Sequence, residues 1–128
     1  MVEIKSCESR ATLSFVVLSR HADEIRFVAR ISGAPFNGEV IASTYFNGPP
    51  TALFDDMAAY WTGWNGQKNW NAIDGELSLA ATMTSLGNVT LVVKMYADSG
   101  ETSLTAVIRL EAGNLDRIAA DVRSLFTA

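Results

Sequence analysis

The sequence predicts an α+β fold: an antiparallel β meander of about seven strands, in one curved sheet or two, carrying two packed helices in the order ββββαβββα. Three observations predict it. Apolar and polar residues alternate with period two through most of the chain, as in half-buried antiparallel strands. The connections between these runs are short and carry turn residues. Two segments alone switch to helical spacing.

The first strands are expected over residues 2–7 and 11–18. The second has apolar residues on both faces, Leu13, Phe15 and Val17 against Val16 and Leu18, which predicts a strand that is central or covered on both sides. Over residues 23–31, Ile25, Phe27, Ala29 and Ile31 share one face while Glu24, Arg26 and Arg30 share the other. A fourth strand is expected over 38–46. The same alternation returns in Leu77, Leu79, Ala81 and Met83, in Val89, Leu91, Val93 and Met95, and in Leu104, Ala106, Ile108 and Leu110. Hairpin loops are expected at residues 20–23, 33–38, 85–88 and 98–101.

A first helix is predicted over 51–64. Pro49 and Pro50 suit its opening, and Asp55 and Asp56 near the start suit the helix dipole. Leu53, Met57, Tyr60, Trp61 and Trp64 fall on one apolar stripe, with Gly63 as the stop. A second helix starts at Asn114, a good N-cap, and buries Leu115, Ile118, Ala119, Val122, Leu125 and Phe126. No composition shift marks a linker, so residues 1–128 read as a single domain.

Composition narrows the function classes. The chain has 128 residues, 48% hydrophobic and 19% charged, which is globular rather than disordered. Its single cysteine, Cys7, leaves no intrachain disulfide, and the N-terminus lacks a basic stretch followed by an apolar core. No apolar run approaches the ~20 residues of a membrane helix. The expectation is a soluble, cytoplasmic protein with no membrane association. Residues 1–48 hold five basic and five acidic side chains, whereas 49–128 hold five basic and nine acidic, so the net charge of -4 resides in the second part. An acidic surface repels phosphate backbones, which argues against nucleic acid; it would attract a basic protein partner, although mild acidity is more ordinarily a solubility device.

Residue types for catalysis are sparse. The one histidine, His21, sits in a turn beside Asp23, with Cys7 as the one thiol in the chain. Asp74 and Glu76 flank Gly75 at the opening of a strand, where i and i+2 share a face and could meet one ligand; solvation at a strand edge is the better explanation of them. One His and one Cys make no zinc site of the usual kinds, and neither an EF-hand loop nor a P-loop is present. No cofactor and no enzymatic activity are expected.

The distinctive stretch is Tyr60-Trp61-Thr62-Gly63-Trp64-Asn65-Gly66-Gln67-Lys68-Asn69-Trp70, which contains all three tryptophans. Trp61 and Trp64 are expected to anchor the helix to the sheet. Trp70, in a polar loop between Lys68 and Asn71, is either a core residue or, if exposed, a binding anchor. Further on come Gly75-Glu76-Leu77, Gly87-Asn88-Val89-Thr90-Leu91 and Leu110-Glu111-Ala112-Gly113-Asn114-Leu115-Asp116. Over roughly residues 50–126 this set resembles a bacterial family of unknown function, DUF6228, with Asn88 where the family often has His. More remotely it is similar to the WapI-type immunity proteins of WapA-type contact-dependent toxins. That resemblance implies a non-enzymatic, immunity-type protein-binding domain with a basic partner such as a toxin domain, as a monomer or homodimer. The alternative is a small-molecule-binding domain with a pocket between the curved sheet and the Trp-rich helix. Trp70, Trp64, Tyr60, Asp74 and Glu76 are the candidate binding residues under either reading.

Overall fold

A computed structural model describes residues 1–33, 35–84 and 86–127. The first sheet contains β1 (Val2–Lys5), β2 (Thr12–Arg20), β3 (Ile25–Ser32) and β4 (Gly38–Ser43), each antiparallel to the next. Helix α1 (Thr51–Ala59) follows. The second sheet contains β5 (Lys68–Asn71), β6 (Leu77–Met83), β7 (Asn88–Ala97) and β8 (Thr102–Glu111), again in sequential antiparallel order. Helix α2 (Leu115–Thr127) closes the chain. The class is the predicted α+β meander, resolved as two four-stranded sheets in the order ββββαββββα.

The strands form where alternation lets one face leave water. Phe27, Ala29 and Ile31 of β3 are buried, as are Leu77, Leu79 and Ala81 of β6, while the even-numbered residues between them are less so. Both inner faces and both helices contribute to one core. At its centre Phe27 meets Phe15 at 5.5 Å, Phe126 at 5.0 Å and Trp70 at 6.3 Å between ring centroids. Phe54 of α1 packs on Phe15 at 6.4 Å, so five separate elements contribute rings to this cluster. Edge-to-face pairs of this kind add to the area they bury.

Strand β2 is central within its sheet, between β1 and β3, as its two apolar faces predict. Ser14 on its outer face is buried, but that face opens toward the strand's end. Leu18 is exposed at a register shift between Val17 and Ser19, and Val16 is only half-buried. Val16 lies opposite Val28, and Val28 opposite Ile41, so β-branched side chains shield one another across the strands.

Helix α1 is shorter than its stripe. It ends at Ala59, with Tyr60 as the C-cap, because the chain turns there: Gly63, at φ +138, donates its N–H to the Tyr60 carbonyl at 2.9 Å. Asp55 and Asp56 lie beyond the first turn, so the helix dipole does not account for them. Asp55 instead pairs with Arg123 of α2, and Asp56 with Lys68 of β5 at 2.9 Å. Helix α2 begins directly after Asn114, preceded by a short 3-10 turn, and buries the expected residues except Leu125, which is half-buried.

Of the predicted loops, 20–23 and 98–101 are turns; Asp98 and Ser99 take positive φ. Ala34 and Ser85, within the predicted loops 33–38 and 85–88, lie outside the described residues. The two sheets meet where the Cys7 N–H donates to the Arg109 carbonyl at 2.8 Å and the Arg109 N–H to Ser6 Oγ at 3.0 Å. No helix among the described residues is long and apolar enough to cross a membrane.

Candidate functional site

The five candidate residues separate into three places. Trp70 lies not in a loop but in the short strand β5, and is 6% exposed. Its indole Nε1–H donates to the Gly48 carbonyl at 3.1 Å, and its ring faces Phe27. Its partners are all internal, which removes it as a binding anchor.

Tyr60 and Trp64 occupy the turn between α1 and β5. Trp64 is half-buried and donates Nε1–H to the Ala81 carbonyl of β6 at 3.3 Å, so it ties the turn, rather than the helix itself, to the second sheet. Tyr60 is 54% exposed, and Trp61, expected to fasten the helix to the sheet, is 56% exposed. The cause is the early end of α1: beyond Ala59 the helical stripe no longer exists, and these rings swing out to solvent.

Lys68 organises the turn. Its Nζ lies 4.4 Å from the Tyr60 ring centroid, 5.4 Å from that of Trp64, and 2.9 Å from Asp56 Oδ2. A largely covered ammonium between two π-faces and a carboxylate is held by cation–π and ionic attraction together. The result is an aromatic surface held in place by Lys68 and Asp56. Lys68 and Trp61 were missed as site residues; the spacing of Trp61, Trp64 and Trp70 around Gly63 and Gly66 was the available signal.

Asp74 and Glu76 lie in the turn preceding β6 rather than on the strand itself, which starts at Leu77. Asp74 is exposed, while Glu76 is half-buried with Oε1 shut off from water and lacking a hydrogen-bond partner among the described residues. Burial pushes the Glu76 carboxyl above the usual 4.5, and Asp74 adds to the rise; the Glu76 and Ser43 backbone N–H groups and Arg26 act the other way. The neighbouring Glu24 Oε2 accepts from Ser43 Oγ at 2.5 Å.

A raised folded-state value means that the protonated carboxyl fits the fold better than the carboxylate. This stabilisation is complete below the unfolded value and is lost as pH rises through the folded one. Glu76→Gln should therefore raise the Tm at pH 7, with the gain shrinking to nothing as pH falls below 4.5. Thermal melts from pH 3 to 8 check this; a gain independent of pH would reject it.

His21 and Cys7 are both exposed, in the turns that follow and precede β2. The nine-residue strand between them spans roughly 27 Å at ~3.3 Å per residue. Among the described residues no three His, Cys, Asp or Glu side chains gather to hold a metal ion.

The fold and this surface define a two-sheet α+β protein that carries an exposed, lysine-braced aromatic turn. The chain belongs to a family of unknown function, DUF6228, whose model matches residues 4–128. The match spans both sheets and both helices, beyond the 50–126 segment that carries the motifs. No curated protein matches the chain.

Proposed function

We propose that this protein is a non-catalytic, immunity-type binding domain of a bacterial cytoplasm that holds a basic protein partner, such as a toxin domain. The observation that carries this reading is the pair of exposed rings, Tyr60 and Trp61, on a turn already braced by Lys68. Large, rigid aromatics are what interface hot spots use, and little ordering entropy is lost when they are fixed in advance. The excess of nine acidic over five basic side chains in residues 49–128 supplies charge complementary to a basic surface. The remote resemblance to toxin immunity proteins points the same way.

The test is calorimetric titration of the purified chain with the product of the adjoining reading frame in the source genome. Trp61→Ala should weaken binding about 30-fold, the scale of a hot-spot residue. Its effect on stability should stay within about 0.5 kcal/mol, because the ring is exposed. Absence of binding, or binding indifferent to both Trp61→Ala and Tyr60→Ala, would reject the proposal.

One observation favours a second reading, small-molecule binding. Trp64 lines an open hollow of about 350 Å³ with Thr62, Gly63, Asn65, Met83 and Thr84. A ligand there would change tryptophan fluorescence in a way that Trp64→Phe abolishes.

A further inference from the structure

The free edge of β8 opens on a cleft of about 450 Å³. Arg109 turns its N–H and C=O away from β7, toward Ser6 and Cys7. Register between β7 and β8 is unbroken from Thr102 to Glu111, and backbone groups of an antiparallel strand alternate in direction. Ser103, Thr105 and Val107 therefore turn their N–H and C=O to the same side as Arg109. Among the described residues none of these six groups has a hydrogen-bond partner.

Between the Ser6–Arg109 junction and the packing of Gly38 against Leu104 the two sheets part. The cleft between them has an apolar floor of Ala11, Ile31, Leu104 and Ala106, and Phe36, 74% exposed, stands at its rim. Its far wall is set by close packing: at Gly33, φ +124, a Cβ would stand 2.5 Å from the Arg10 carbonyl oxygen. The charged side chain lining the cleft is Arg10, which takes part in no ion pair among the described residues.

We propose that this cleft accepts an extended segment of another protein as an added strand on β8. The three outward-facing residues span about 13 Å, the length of four to five strand residues at ~3.3 Å each. An unpaired edge supplies main-chain hydrogen bonds, and the floor supplies pockets for alternate side chains, the two requirements of strand addition. The occupant's chemistry follows: alternating apolar side chains facing Ile31, Leu104 and Ala106, with an acidic residue opposite Arg10. The unpaired Arg10 beside an apolar floor matches an extended segment carrying an acidic residue, with a second copy of the chain as the rival occupant. This site uses none of the residues of the aromatic turn.

The probe is a fluorescein-labelled pentapeptide alternating valine and threonine with one terminal glutamate, read by fluorescence anisotropy and by amide hydrogen exchange. Saturable binding is expected, with the amides of Ser103, Thr105 and Val107 protected about tenfold or more when peptide is bound. Thr105→Pro removes one outward N–H, a change that an edge strand tolerates, and should weaken binding at least about tenfold. Methylating the peptide's backbone nitrogens should do the same without altering the protein, and Trp61→Ala should leave peptide binding unchanged. No saturation up to about 1 mM overturns the proposal. So does binding that ignores both Thr105→Pro and N-methylation, or self-association of the chain that buries the same amides.

Discussion

Replacing Phe27 with alanine should destabilise the protein by about 3–5 kcal/mol, the cost of emptying a large buried aromatic site. Phe27 is fully buried and touches rings from three other elements: Phe15 of β2, Trp70 of β5 and Phe126 of α2. Deleting it removes contacts that join the first sheet to the second and to the closing helix, so the neighbours cannot relax toward a single side. Against a typical total of about 5–15 kcal/mol, such a loss leaves a chain that is marginal at 37 °C. Urea denaturation followed by tryptophan fluorescence measures it. A loss under about 1 kcal/mol would mean that the two sheets do not share one interior.

Trp70→Ala should cost a similar amount, about 3–5 kcal/mol, and Trp70→Phe about 1–2 kcal/mol. The smaller change keeps most of the ring area against Phe27 but abandons the hydrogen bond to the Gly48 carbonyl, leaving that acceptor short of a partner. The contrast with Trp61 matters for function. Trp61→Ala is expected to change binding and spare stability, whereas Trp70→Phe is expected to lower stability and leave partner affinity within about twofold. The opposite pattern, with the Trp70 variant losing affinity at unchanged stability, would return Trp70 to the binding surface.

The contrast also shows how far the residues themselves reveal a site. Trp61 and Trp70 belong to one motif, and nothing in their neighbours distinguishes them: Trp61 precedes Thr62 and Gly63, and Trp70 stands between two asparagines. Their fates diverge because α1 stops at Ala59 and because Asn69 and Trp70 pair with Ala80 and Leu79 of β6. A four-residue strand with one apolar side chain is too short to show a period. Its existence depends on a partner strand that the local sequence does not contain.

The longer strands and α2 were legible for the converse reason. In β7, Val89, Leu91, Val93 and Met95 are all buried, and four alternate positions suffice to mark a face. In α2, Leu115, Ile118, Ala119, Val122 and Phe126 mark a stripe over three turns. The α1 stripe misled because Tyr60, Trp61 and Trp64 continue a helical spacing that the backbone abandons. Glu76 was chosen from its spacing to Asp74, but its half-burial beside Ser43 and Arg26 comes from the other sheet.

Local order in the chain thus dictated which side chains leave water within each long element, since periodicities of two and 3.6 are properties of a few consecutive residues. The division into two sheets, the seam at Ser6, Cys7 and Arg109, and the open β8 edge beside it arise from contacts between segments about a hundred residues apart. Such contacts leave no periodic trace in the sequence, because their energy depends on which edges and faces happen to meet once the elements have packed.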